Sequence, residues 1–186
     1  MKQLTMNDLV KAHDLPFELF ISEEQIEKRV RELGKAIEAD YKGKKPLLLG
    51  VLNGAFVFAA DLMRASEIDC EISFIKLSSY HGLQSSGEVE TLIGLDVEVK
   101  DRDIIIVEDI VDSGKTLHYF LPELKKLRPA SVALAIFLVK PNALEYPIHI
   151  DYQGFEIPNK FVIGYGLDYD GLGRNLRGVY QLVTDD

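Results

Sequence analysis

Glu108 and Asp109 are adjacent carboxylates, and Asp112, Ser113, Gly114, Lys115 and Thr116 follow close behind them. Carboxylates accept hydrogen bonds, so this pair suits the hydroxyls of a sugar, or a metal ion held together with such hydroxyls. Ser113 and Thr116 offer hydroxyl donors, and Gly114 lets the backbone take unusual angles and a ligand come close. A helix starting after this loop would aim its free amides into it and favour an anion. The loop therefore suits one phosphate group. Phosphate beside diol is the chemistry of a phosphorylated ribose.

The neighbouring residues say how these groups are positioned. Ile104-Ile105-Ile106-Val107 is a continuous β-branched run, the pattern of a strand covered on both faces. That strand is read as ending in Glu108 and Asp109. Leu117 opens an apolar, helix-like stretch that runs to Leu127. In open parallel sheets ligands bind beyond the carboxyl ends of the strands, so the polar residues lie where small molecules dock. The loop does not have the Walker spacing of Gly, four residues, then Gly-Lys-Ser/Thr. It also lacks the three-glycine dinucleotide pattern.

The remaining elements alternate. Phe17 to Ile21 reads as a strand. Ser22-Glu23-Glu24-Gln25 has the form of a capping box, followed by Ile26, Val30, Leu33 and Ile37 at helical spacing. This helix is expected to reach about Tyr41. Pro46 to Leu52 is a buried strand, Asn53-Gly54 a turn and Ala55 to Arg64 an apolar helix. Further strands are expected at Ile72 to Leu77, Thr91 to Gly94, Val132 to Val139, Ile148 to Tyr152 and Phe161 to Tyr165. Residues 78–90 are polar, rich in serine and glycine and without periodicity, as functional loops are. Strands alternating with helices predict an α/β fold with a mostly parallel sheet and right-handed crossovers.

Composition narrows the class. With 186 residues the chain can bury a real core, and no repeat or linker divides it, so 1–186 reads as one domain. No apolar run is long enough to span a bilayer, and the N-terminus carries no apolar signal region. Cys70 is the only cysteine, which excludes an internal disulfide and fits a reducing cytoplasm. It reads as a small buried apolar group rather than a nucleophile. A net charge of -9 disfavours nucleic acid and acidic membranes as partners, without forbidding a local basic pocket.

The segment from Ile104 to Leu117 resembles the phosphoribosyl-diphosphate signature of the type I phosphoribosyltransferases. Leu52 to Gly54, Ser79-Tyr80, Val139-Lys140 and Phe155 to Arg174 resemble hypoxanthine-guanine phosphoribosyltransferases in order and spacing. The resemblance covers nearly all of the chain after Phe17. It implies a central, mostly parallel twisted sheet flanked by helices, with a lid at 78–90. Residues 140–186 would contribute to a small hood, built from the N- and C-terminal segments. It also implies transfer of phosphoribosyl from 5-phosphoribosyl 1-diphosphate to a 6-oxopurine, with magnesium as cofactor and a homodimer or homotetramer as the assembly.

Residue by residue, the resemblance implies that Glu108 and Asp109 face the ribose hydroxyls and that Asp112 takes the proton from purine N7. Ser113, Gly114, Lys115 and Thr116, with Asp112, would cradle the 5′-phosphate. Lys140 would donate to the 6-oxo group, a contact that a 6-amino group would turn into donor against donor. Phe161 would stack on the purine, and the Val162 backbone would meet its edge. Asp168 would lie at the purine site and join Glu108 and Asp109 in holding magnesium. Asn53, Gly54 and Arg174 would contact diphosphate, the arginine through its fork of donors. Ser79 and Tyr80 would begin the lid. The family often has a non-proline cis peptide where this chain has Leu52-Asn53, and some members carry a basic residue at the position of Asn53.

Three other readings compete. A nucleic-acid-binding relative is opposed by the acidic charge, and transfer to another base by Lys140 with Phe161. A phosphoacceptor receiver domain is opposed by the Ser-Gly-Lys-Thr loop. The order of preference among hypoxanthine, guanine and xanthine stays open at this level.

Overall fold

The computed structural model describes residues 9–79, 89–93 and 97–184. The chain opens with β1 (Leu9–Ala12) and β2 (Leu15–Ile21), then α1 (Glu23–Asp40), β3 (Leu47–Leu52), α2 (Phe56–Ala65) and β4 (Glu71–Ser79). β5 (Val89–Ile93), β6 (Asp103–Val111), α3 (Lys115–Lys126) and β7 (Ser131–Val139) follow. A single 3-10 turn at Pro141–Ala143 leads to β8 (Tyr152–Glu156), β9 (Val162–Ile163) and β10 (Val179–Leu182).

Among the described residues these strands form two sheets. The larger has the order β5-β4-β3-β6-β7-β8, parallel throughout except for antiparallel β5. Its central strands alternate between two cores. Leu48, Ile105, Val107, Ala135 and Phe137 pack with Val30, Leu33, Phe58 and Leu62 of α1 and α2. Leu47, Leu49, Ile104, Ile106 and Ile136 pack with Leu117, Phe120 and Leu124 of α3. Both faces are covered, which is why these strands read as unbroken apolar runs. The smaller sheet, β1-β2-β10-β9, is antiparallel and joins the N-terminal segment to the C-terminal one. It is the hood.

Two features of the larger sheet create the site. β3 connects through α2 to β4 on one side, whereas β6 connects through α3 to β7 on the other. A crevice opens where the winding reverses in this way. The β3–β6 ladder ends at Gly50 opposite Val107, while the β6–β7 ladder continues to Val111 opposite Val139. Residues Glu108 to Val111 are thus paired on one side and open on the other.

The helical expectations for α1 agree in detail. Ser22 N–H donates to Gln25 Oε1 at 2.9 Å, and Gln25 N–H donates to Ser22 Oγ at 3.4 Å, so both halves of the capping box form. Several strand boundaries need correction. β6 does not stop at Glu108 and Asp109; it continues to Val111 because Ile110 and Val111 still pair with Leu138 and Val139. The strand expected at Ile148 to Tyr152 lies instead at Tyr152–Glu156. Ile148 and Ile150 pack against the α3-side core as an irregular segment, so their alternation marked burial rather than pairing. The strand expected at Phe161 to Tyr165 shrinks to Val162–Ile163, since Gly164, Tyr165 and Gly166 all have positive φ. The short strand expected at Thr91 is present as β5, two residues earlier than read.

Helix α1 lies against α2 at Gly34, where an added Cβ would fall 2.3 Å from the Ala65 carbonyl oxygen. Helix propensity alone predicts that Gly34→Ala gains roughly 1 kcal/mol. The packing predicts the opposite sign. Urea denaturation of Gly34→Ala should show a lower midpoint than wild type, and a raised midpoint would contradict the close approach.

Candidate active site

The loop after β6 has the features an anion needs. Gly114 has φ of 79° and is buried against the Tyr146 carbonyl oxygen, which an added Cβ would approach to 2.9 Å. A side chain there would be strained by its dihedral and obstructed by the backbone. Ser113 O accepts from the N–H groups of both Glu145 and Tyr146 at 3.1 Å, which ties the loop to the segment after β7. Ser113 Oγ accepts from Lys115 N–H at 3.3 Å. α3 begins at Lys115, so its first amides point into the loop without intrahelical partners. Glu108 and the stretch from Ile110 to Leu117 enclose a cavity of about 130 Å³. The Lys115 and Asp112 side chains stand at the surface.

The two carboxylates have different neighbours. Glu108 is half-buried as a residue, but its Oε2 is closed off from solvent and has no hydrogen-bond partner among the described residues. Burial, reinforced by the nearby Asp109 charge, pushes its carboxyl well above the usual range. Asp109 turns to the other side of the crevice, where a Cβ on Gly54 would fall 1.6 Å from Asp109 Oδ2. Desolvation raises Asp109 from 3.8 to about 6, opposed by N–H donation from Ile110 and by Arg174 and assisted by Asp168. Both groups are acceptors drawn out of water, and a further donor or a cation would favour their ionised forms.

Across the crevice, the peptide bond Leu52-Asn53 is cis, Asn53 is exposed and Gly54 is buried. The Gly54 carbonyl oxygen packs on Gly166, where an added Cβ would lie 2.1 Å away. Gly166 O accepts from Arg174 Nη1 at 2.7 Å, and Arg174 Nη2 pairs with Asp168 Oδ1 at 2.7 Å. Asp168 Oδ2 also accepts from Gly171 N–H at 2.7 Å. Asn53-Gly54, Asp109, Asp168 and Arg174 are therefore one cluster. Arg174 is partnered by Asp168 rather than free.

Lys140 and Asp112 meet at the adjacent ends of β7 and β6. Lys140 is 8% exposed, and its Nζ donates to Asp112 Oδ2 at 3.1 Å. In the hood, Phe161 is 44% exposed, with its ring 5.7 Å from Tyr169 edge-on and 6.1 Å from Phe17. Val162 is buried and pairs with Gln181. Ser79 is the last residue of β4, and Tyr80 with most of the expected lid lies outside the described residues.

Residues 21–170 match the family model described as a phosphoribosyl transferase domain. The hypoxanthine-guanine phosphoribosyltransferase of Lactococcus lactis is 46% identical over 159 residues, covering 85% of this chain and 86% of that protein. The Bacillus subtilis protein of the same name is 43% identical, covering 88% and 91%.

The chain belongs to the hypoxanthine-guanine phosphoribosyltransferase family.

A crystal structure of a Bacillus anthracis hypoxanthine-guanine phosphoribosyltransferase, with a HEPES molecule in its active site, superposes with a TM-score of 0.84 at 38% identity. It covers 90% of this chain and 97% of that one. Like that protein, this phosphoribosyltransferase has the α/β fold the resemblance implied. Its sequence did not disclose Gly166 as a support for Gly54, or Tyr165, whose hydroxyl donates to Asp61 Oδ2 at 2.7 Å and anchors the same loop to α2. The only sequence signal for them was the Gly164-Tyr165-Gly166 run, where glycines alternate around one large side chain.

The buried acids give this phosphoribosyltransferase a pH signature. The folded state holds the Asp109 proton more tightly than the unfolded chain does. The stability this group contributes is complete below 3.8 and is lost as pH rises through about 6. Asp109→Asn cannot ionise and keeps that contribution. The urea midpoint of unliganded Asp109→Asn should gain steadily on wild type between those two values, and a constant difference would contradict the burial.

Proposed function

We propose that this enzyme transfers the phosphoribosyl group from 5-phosphoribosyl 1-diphosphate to N9 of hypoxanthine, and of guanine, releasing diphosphate and the purine nucleoside 5′-monophosphate. This is a purine salvage reaction. The reading is carried by one observation: an anion-binding loop and a desolvated, unpartnered carboxylate, Glu108, line the same small cavity. A phosphate with an attached diol supplies what each of them lacks.

In this reading the 5′-phosphate sits on the amides and hydroxyls of Ser113 to Thr116, with Lys115 adding charge at the rim. Glu108 and Asp109 accept from the ribose hydroxyls. The purine stacks on Phe161, its edge meets the Val162 backbone and its 6-oxo group accepts from Lys140. Arg174 and the amides of Asn53-Gly54 hold diphosphate. The N9 lone pair bonds to C1′, and the C1′–oxygen bond breaks with its electron pair leaving on diphosphate. The N7 proton passes to Asp112. Ser79 and Tyr80 begin the lid that excludes water from the activated sugar.

Glu108, Asp109 and Asp168 are the residues that would hold magnesium, shared with substrate oxygens, and the bound ion would offset charge on the leaving diphosphate. The fit is chemical: hard carboxylate oxygens, one of them buried without a partner. The described residues contain no closed cluster of three or more His, Cys, Asp or Glu side chains suited to a metal. Magnesium bound through one or two carboxylates plus substrate phosphates needs none. We further read the chain as a single cytoplasmic domain that assembles as a homodimer or homotetramer and binds neither nucleic acid nor membrane. None of the helices among the described residues is long and apolar enough to cross a membrane.

The direct test is product formation from 5-phosphoribosyl 1-diphosphate with hypoxanthine, guanine, xanthine and adenine, each with and without magnesium. Magnesium-dependent product from the first two is expected, and its absence would reject the proposal. General base catalysis contributes roughly 10²- to 10⁴-fold, so Asp112→Asn should lower turnover on that order while substrate binding changes little. Unchanged turnover would remove Asp112 from its role. Lys140→Ala should lose 6-oxopurine binding, and full guanine affinity in that variant would contradict the donor assignment.

A further inference from the structure

Asp112 and Lys140 face each other because of strand register. β6 and β7 stay paired up to Val111 opposite Val139, and the backbone runs on by one residue from each strand to Asp112 and Lys140. The Lys140 backbone is held at both ends, its N–H donating to Val111 O and its carbonyl accepting from Ala143 N–H, each at 3.0 Å. The ammonium is nearly buried, with 10% of the side chain exposed, and its hydrogen-bond acceptor is Asp112 Oδ2. The Asp112 side chain is 56% exposed. A buried cation stripped of its partner is strongly disfavoured, so Lys140 leaves Asp112 only when another acceptor takes its place.

We propose that this ion pair is a lock on the general base, and that the 6-oxo group of the incoming purine opens it. The inference rests on the roles given above to Asp112 and Lys140. While the bond stands, Oδ2 is occupied and Lys140 sets the orientation of the carboxylate. The purine O6 is an acceptor, so the ammonium turns from Oδ2 to O6 and keeps all its protons. The N7–H bond then breaks, its electron pair stays on N7 and the proton bonds to Asp112 Oδ2. A 6-amino group, or hydrogen at C6, gives Lys140 no acceptor and leaves the lock closed. Selection for 6-oxopurines thus acts on turnover as well as on binding.

The probe is unsubstituted purine, which carries hydrogen at C6. A lysine whose only task is to bind O6 would not affect turnover of this base. The lock predicts that Lys140→Met raises kcat for purine about tenfold or more over wild type, a fraction of what a general base supplies. In the same variant KM for hypoxanthine rises. Unchanged or reduced kcat for purine would overturn the lock, while leaving the proposed activity intact if wild type still converts hypoxanthine. No product from hypoxanthine with wild type would overturn both. A second measurement needs no variant. In NMR spectra of the wild-type protein, the Lys140 ammonium resonance should move on binding inosine 5′-monophosphate and stay in place with purine riboside 5′-monophosphate. Equal displacement by the two nucleotides would overturn the lock.

Discussion

The site depends on a ladder that ends early on one side. Beyond Val107, β6 loses β3 but keeps β7. The four residues that follow keep a strand's straightness, because half of their backbone is still paired. They also have an open edge, because the other half is not. From this half-supported segment, Glu108 reaches the phosphate-sized loop cavity and Asp109 reaches Gly54 across the crevice. Asp112 emerges beside Lys140 one residue after the pairing stops. Had the β3–β6 ladder run on to Val111, the crevice would be filled by sheet.

The electrostatics follow from this geometry. Both carboxylates are taken out of water before any ligand arrives, and Glu108 Oε2 has no partner among the described residues. Unmet acceptors of this kind are costly for stability. They are also pre-arranged for hydroxyl donors or a hard cation, and a ligand that supplies these gains what the empty site lacks. Elsewhere the site avoids cost by internal pairing, Arg174 with Asp168 and Lys140 with Asp112. Each of those ion pairs contains a group expected to engage substrate.

Much of this was legible in the sequence, for physical reasons. Ile104 to Leu117 compresses a buried strand, an anion loop and a helix start into one uninterrupted segment, so each part locates the next. The capping box at Ser22 was equally local, and it formed as read. Less local features were not legible. The length of β6 depends on whether Ile110 has a neighbour in β7, which no property of Ile110 reveals. Tyr152–Glu156 contains Gln153 and Gly154 and does not look like a strand, yet Gly154 is needed there because a Cβ would fall 2.2 Å from the Phe137 carbonyl oxygen. Ile148 and Ile150 looked more strand-like and form irregular cover. The hood strands β1 and β10 are short; β1 forms a tight hairpin with β2, whereas β10 pairs with β2 from the far end of the chain. The Lys140–Asp112 bond likewise joins residues whose proximity is set by register alone.

Sugar diol and terminal phosphate are expected to be gripped together on β6 and the loop that follows it. A crystal structure of the protein with a purine nucleoside 5′-monophosphate tests it directly. The phosphate should sit on the main-chain amides of residues 113–116, with the ribose hydroxyls within hydrogen-bonding distance of Glu108 or Asp109. A cavity of about 700 Å³ between α1, α2 and residues 174–177 is larger and offers a real alternative. Nucleotide bound there, with the loop after β6 left empty, would contradict the account.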